Sequence, residues 1–340
     1  MVALDDERAM IVYTNHSQHK RSDLSPIEGD NDTAAICATV LDRDGLPVGE
    51  ERVLIETPEN ALNVMSPAIR WLPDGTLGML YSNRLSKKTA SRMIVKSYDE
   101  GVQWSTPMVV AEGAYTTGCH DRFTVLSSGR LIVPLHRTQD WDWHYLYVQV
   151  AYSDDCGVTW ALSNKLSLPF VGKQYGWDGG FIESGCVEPT VAERADGSLL
   201  MSIRTAMGTL FCAESFDEGK TWIHLRSMEV ASPQAPAHLS RIPETDDLLL
   251  LWTPNYDIAE HLSGKRHTIM ACISKDGGKT WNHNDRKVLV HHPECSVDYP
   301  AVMYKGKDVW ITFRQSSTNE ISGGKTSSNL MIVPLSWLYA

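Results

Sequence analysis

Short apolar runs alternate along this chain with clusters of Gly, Asp, Ser and Pro. Thr76–Tyr81 and Arg92–Lys96 form one pair of runs, and Arg130–Leu135 and Leu146–Tyr152 a second. Ser198–Arg204 with Thr209–Ala213, and Asp247–Trp252 with Ile269–Ile273, complete four pairs. Segments this short, rich in Val, Ile, Leu and Tyr and bounded by turn residues, predict strands and an all-β chain. Two further runs, Arg8–Tyr13 and Leu330–Pro334, are expected to complete one sheet together, so that no sheet edge stays open.

After the second run of each pair stands the pattern Ser-x-Asp-x-Gly-x-x-Trp. It spans Ser97–Trp104, Ser153–Trp160, Ser215–Trp222 and Ser274–Trp281, with first serines 56, 62 and 59 residues apart. Asp and Ser side chains bond the backbone of tight turns, Gly accepts positive φ, and Trp anchors the turn by packing. A second turn signal precedes the first run of each pair: Pro73–Gly75, Ser127–Gly129, Ala195–Gly197 and Glu244–Asp247. A degenerate turn at Asp42-Arg-Asp44-Gly45 marks a further hairpin in the region Cys37–Val53. An internal period near sixty residues, with two to four strands in each copy, is the pattern of β-propeller blades. The 340 residues accommodate about six of them, so the expected fold is one six-bladed β-propeller over residues 1–340.

Composition narrows the partners. A net charge of −11 without a basic cluster disfavours nucleic acid and anionic membranes, and no apolar stretch reaches membrane-spanning length. The seven cysteines are odd in number and show no CxxC spacing, so no disulfide framework is expected. With no leader-like start, a cytoplasmic location is expected, or a secreted or periplasmic one if a signal peptide has been removed. P-loop, dinucleotide and HExxH patterns are absent, and His291-His292 would point to opposite strand faces, so neither cofactor nor metal is expected.

The four Ser-x-Asp-x-Gly-x-x-Trp copies resemble the Asp-boxes, or BNR repeats, of the sialidase (neuraminidase) superfamily across essentially the whole chain. The resemblance implies a Tyr nucleophile, a Glu that serves as its base, an arginine clamp for a substrate carboxylate, and an Asp acid. Gly185-Cys-Val-Glu188 through Arg204 is similar to the stretch that supplies the Glu and the second clamp arginine. Arg266, eight residues before Ser274, matches the third clamp arginine, and Tyr299 in Ser296-Val-Asp298-Tyr299 matches the nucleophile. Met65 stands where the first clamp arginine is expected, with Arg70, Arg84 and Arg122 as candidate substitutes. The acid has no recognisable counterpart, and the segment around it resembles bacterial sialidase-like proteins more than proven sialidases.

His120-Asp121-Arg122 is the densest polar cluster beside a predicted strand, and a histidine there is suited to proton exchange near neutrality. His136 lies at the far end of that strand and faces a rim or interface. Three functions follow. The first is a retaining exo-glycosidase on a terminal acidic sugar, with Glu188 and Tyr299 as base and nucleophile and His120 or Asp121 as acid. The second is a lyase on a uronic-acid glycan, in which arginines neutralise the uronate, His120 removes the C5 proton and Tyr299 protonates the departing sugar. The third is a non-catalytic glycan-binding propeller. In all three the partner is carbohydrate, held by Arg204, Arg266 and Arg122, with Trp143 and Trp177 offering flat faces for sugar stacking.

Overall fold

The computed structural model describes all residues except 17–28, 139–145, 169–173, 176–180, 183–184, 255–265 and 318–325. The described residues form mostly antiparallel strands, with a short α-helix at Leu335–Tyr339. The chain divides into two compact units, one of Met1–Asp142 with Ala151–Leu162, the other of Trp143–Val150 with Ser163–Ala340.

In the first unit, Val2–Ala3, Ala9–Asn15, Ala35–Leu41 and Pro47–Glu56 form a sheet in chain order. Asn63–Trp71, Leu77–Arg84, Ala90–Ser97 and Met108–Ala111 pair successively, and Tyr115–Thr117 and Thr124–Val125 both pair with Leu131–Thr138. In the second unit, Val187–Glu193, Leu199–Arg204, Thr209–Ser215 and Ile223–Ala231 form one four-stranded sheet. His238–Arg241, Leu248–Trp252, Thr268–Ser274 and Lys287–His291 form another, and Cys295–Lys305, Asp308–Ser317 and Thr326–Pro334 a three-stranded one. All eight paired apolar runs are strands. The two terminal runs do not share a sheet: Ala9–Asn15 pairs with Ala35–Leu41, and Thr326–Pro334 with Asp308–Ser317. Each run has a complete antiparallel partner within its own sheet.

Burial explains why the middle strands are continuously apolar rather than alternating. Within the second unit, Leu248, Leu250 and Trp252 pack with Leu200, Leu239 and Cys272 on one side. Leu249 and Leu251 face the other way, onto Ile269, Val302 and Ile311. Successive side chains point to opposite faces, so a sheet packed on both faces needs an apolar residue at every position.

The turn signals sit at two fixed places. Pro73–Gly75, Ser127–Gly129, Ala195–Gly197 and Glu244–Asp247 each connect adjacent antiparallel strands. The Ser-x-Asp-x-Gly-x-x-Trp copies each begin on the last residue of a strand, for example Ser215 of Thr209–Ser215. Ser215 Oγ donates to Asp217 Oδ1 at 2.9 Å and accepts the Gly219 N–H at 2.8 Å, while Asp217 Oδ1 accepts the Thr221 N–H at 2.8 Å. The Trp222 indole closes the turn on the Gly219 carbonyl at 3.0 Å. The other copies repeat the Ser-to-Asp and Gly-to-Ser bonds, with Gly101, Gly157, Gly219 and Gly278 at φ between 81° and 86°. A Cβ on Gly278 would also crowd Leu200 Cδ2 of the neighbouring sheet, which would have to shift.

Ser215→Ala is expected to cost about 2 kcal/mol, because the Gly219 N–H loses its acceptor inside the turn. Urea unfolding measures it, and an unchanged midpoint with an unchanged slope would show that the serine bond contributes nothing net.

Candidate functional site

Glu188 and Tyr299 are displayed by the same backbone device. Each lies in the first strand of its sheet, immediately before a proline, with positive φ of 46° and 56°. The pairing register slips at both places, between Val187 and Thr190 and between Asp298 and Ala301. Such a bulge re-aims a side chain, and the proline that follows has no N–H to leave unpaired. Positive φ on a non-glycine residue is strained, and strain of this kind is held in place only by the structure around it. The first unit repeats the device at Ser66-Pro67, with φ 58° and a slip between Met65 and Ala68.

In the second unit the two re-aimed side chains meet. The Tyr299 hydroxyl donates to Glu188 Oε1 at 3.0 Å, although 111 residues separate them. Arg204 donates through NH1 to the other oxygen, Glu188 Oε2, and the two side chains are only 15% and 11% exposed. Burial works against the Arg204 charge, but the Glu188 carboxylate and the Tyr299 oxygen outweigh it and hold the guanidinium pKa above its ordinary value. Arg204 Nε is buried without a hydrogen-bond partner among the described residues.

Beside this trio lies Asp298, which is fully buried. It accepts from Arg266 NH1 at 2.7 Å and from Arg314 Nε and NH2 at 2.8 Å each. Burial alone would raise the Asp298 pKa; the Arg314 hydrogen bonds and the charges of both arginines reverse this and lower it. Both guanidinium groups also lie over the Tyr299 ring, Arg314 at 4.8 Å and Arg266 at 6.0 Å from its centroid. Among the described residues, Arg204, Arg266, Arg314, Glu188 and Asp298 thus cluster around Tyr299.

Four of the residues singled out from sequence, Glu188, Arg204, Arg266 and Tyr299, are thus gathered in one unit. Arg314 was missed, although its run Val309-Trp-Ile-Thr-Phe-Arg314 parallels Leu199-Leu-Met-Ser-Ile-Arg204. Both arginines end an apolar run and pair across to the residue preceding the re-aimed side chain, Arg204 to Val187 and Arg314 to Asp298. Superposing the repeats on the runs as well as on the turns would have found it.

His120, Asp121 and Arg122 belong to the first unit. Asp121 is buried and accepts from Arg70 NH1 at 2.8 Å, the geometry of an ion pair and not of a proton donor. Arg122 is buried, and His120 is half-buried with Nδ1 3.9 Å from Cys119 Sγ. Of the other candidate substitutes for the missing clamp arginine, Arg70 is engaged by Asp121, and Arg84 donates to the Asp30 carbonyl and to Met65 Sδ. Trp143 and Trp177 lie outside the described residues. Among the described residues no group of three or more His, Cys, Asp or Glu side chains is placed to hold a metal ion.

The stacked antiparallel sheets and repeated turns are those of the sialidase-like class. Residues 25–311 match the model of the BNR repeat-like domain, and the chain belongs to that family. Over 268 residues, 72% of this chain, it is 26% identical to a sialidase of Bacteroides fragilis (strain YCH46), spanning 44% of that protein's length. Among solved structures, a protein of unknown function from Dyadobacter fermentans is similar with a TM-score of 0.71 at 15% identity, covering 98% of this chain and 93% of the other. The intramolecular trans-sialidase of Ruminococcus gnavus gives 0.69 at 12% identity over 100% and 94%. Trypanosoma rangeli sialidase in complex with sialic acid gives 0.68 at 16% identity over 99% and 54%.

Proposed function

We propose that this protein is an exo-glycoside hydrolase acting on a terminal acidic sugar of a glycan. The observation that carries the reading is the Tyr299 hydroxyl donating to Glu188, with Arg204 on the same carboxylate. That is the arrangement of a nucleophile and its base, and an arginine on the carboxylate favours its charged, proton-accepting form. Tyr299 oxygen attacks the anomeric carbon as its proton passes to Glu188 Oε1, and water then hydrolyses the glycosyl–tyrosine with the base returning the proton. Two inversions at one carbon give retention. A neutral phenol suits this task, because a carboxylate nucleophile would be repelled by an anionic sugar. Arg204 and Arg266 hold the sugar carboxylate through the planar forks that match it. The glycosidic C–O bond breaks as the tyrosine attacks, the leaving oxygen takes a proton from a water molecule, and the hydroxide so formed is the oxygen that attacks the glycosyl–tyrosine.

The names of the relatives, a sialidase in Bacteroides fragilis and trans-sialidases and sialidases among the solved structures, support a glycosidase of this kind. The same class supports reading the sheets as blades of one six-bladed propeller, with the four repeated turns as Asp-boxes.

Mass spectrometry of products from a panel of sialylated and uronic-acid-terminated oligosaccharides tests the proposal. Products that together gain one water, with release of the acidic sugar, are expected. Products that gain no water and absorb as an unsaturated uronate would make the protein a lyase. No cleavage anywhere in the panel would favour a glycan-binding role.

A further inference from the structure

We infer that Arg92 is the centre of a buried binding site in the first unit for a small monovalent anion of the class of chloride. The inference is independent of the chemistry at Tyr299 and Glu188 and would stand if that reading failed.

Arg92 lies in Ala90–Ser97 and is 0% exposed. Its NH1 donates to the Ser66 carbonyl at 2.7 Å and to Ser82 Oγ at 3.1 Å. Nε and NH2 are buried without a hydrogen-bond partner among the described residues. The same two nitrogens of Arg314 grip Asp298, so in Arg92 this edge of the guanidinium presents a fork that matches an anion. Burial pushes the Arg92 pKa down to about 9, and the Cys119 thiol is the titratable group that works against this. Arg92 therefore stays charged at neutral pH. A charge taken out of water is costly unless a counter-charge meets it, so buried charges are as a rule paired.

The repeat explains how a cation comes to lie here without a carboxylate. Arg204 stands opposite Val187 and Arg314 opposite Asp298, each facing the residue before a positive-φ position. In the second unit both arginines meet a carboxylate, Glu188 or Asp298. In the first unit the equivalent place, opposite Met65 and before Ser66, holds Ser82. The guanidinium comes instead from the next strand, where Arg92 pairs with Ser82, and the re-aimed residue, Ser66, bears no charge. Ser82 Oγ also lies 2.6 Å from Thr117 Oγ1, so the hydroxyls beside the guanidinium are neutral as well. Gly118 limits the size of the ligand. A Cβ there would lie 3.3 Å from Arg92 Nε and 3.4 Å from its Cζ, so bare backbone passes close to the fork. An anion of one atom suits a place this closely built better than a carboxylate or a phosphate does.

Thermal melts of the full chain at constant ionic strength, with gluconate replaced stepwise by chloride or bromide, test the site. Wild type is expected to gain about 2–4 °C along a saturating curve. Arg92→Met keeps the bulk without the charge and should melt at one temperature in all these salts. Cys119→Ser should keep the halide response. Diffraction at the bromine absorption edge from bromide-soaked crystals then locates the ion, with an anomalous peak expected at Arg92 Nε and NH2. A water molecule there instead of bromide overturns the site. So does a halide response that Arg92→Met retains, which marks a general salt effect. A wild type indifferent to halide overturns it too, and destabilisation by Cys119→Ser would then identify a Cys119 thiolate as the partner of Arg92.

Discussion

Tyr299→Phe is expected to lower turnover by roughly 10⁴-fold or more while leaving the melting temperature within a degree or two of wild type. The substitution removes one oxygen from a side chain whose ring keeps its contacts with Arg266 and Arg314. What disappears is the nucleophile, together with the donor of the 3.0 Å bond to Glu188. Glu188 keeps its bond from Arg204, so the carboxylate is not left without a partner and folding should not suffer. Steady-state kinetics on the substrate identified by product analysis, beside a thermal melt, separates the two effects. Full activity in the phenylalanine variant would remove Tyr299 from the chemistry and would turn attention to direct attack by water with Glu188 as base.

The largest effect on stability is expected from Asp298→Asn, at about 3 kcal/mol or somewhat more. Removing one member of a buried ion pair leaves the other charges uncompensated, and here two arginines lose the same anion at once. Partial exposure of Arg266 and Arg314 keeps the cost at the lower end of what such pairs show. The loss should also depend on pH in a definite sense. The Asp298 pKa is lower in the folded protein than its ordinary value of 3.8, so the folded state holds its proton less tightly than the unfolded chain does. Its contribution is therefore complete above the unfolded value and is lost as pH falls through the folded one. Urea unfolding of wild type and variant at neutral pH and at successively lower pH below 4 should show the gap between them closing with acid. A gap that stays constant or widens toward low pH would mean that Asp298 is not held ionised by its two arginines.

Much of the architecture was legible because it depends on residues close together in the chain. The bonds from Ser215 to Asp217 and from Gly219 to Ser215 span two and four residues, so an eight-residue pattern contains nearly everything the turn needs. The same holds for most strand pairs, which join strands consecutive in the chain. The terminal runs were misjudged for a related reason. A strand near a chain end looks unpaired when only the run itself is read, whereas Ala9–Asn15 finds Ala35–Leu41 beyond an intervening segment and Thr326–Pro334 finds Asp308–Ser317.

The candidate site was legible residue by residue but not as an assembly. Glu188, Arg204, Arg266 and Tyr299 could be named from local motifs. Nothing local said that Asp298, the residue beside Tyr299, would be the buried anchor, or that Arg314 would share it with Arg266. Asp121 reads from sequence as a possible acid, yet Arg70, 51 residues earlier, engages it as an ion pair. Whether a carboxylate gives a proton, takes one or braces an arginine depends on which groups surround it, and those come from distant strands.

By itself, then, the amino-acid sequence determined the all-β class, the repeat, the chemistry of each turn and the strands that flank it. Short-range hydrogen bonding and strand periodicity decide these, and both are written within a few consecutive residues. Only the tertiary structure decided which side chains meet. The positive-φ bulges at Glu188 and Tyr299 turn two residues 111 positions apart into hydrogen-bond contact, and one buried carboxylate draws two arginines over the tyrosine ring. Those contacts depend on how whole sheets pack, and the charge that each group carries follows from the neighbours that packing supplies.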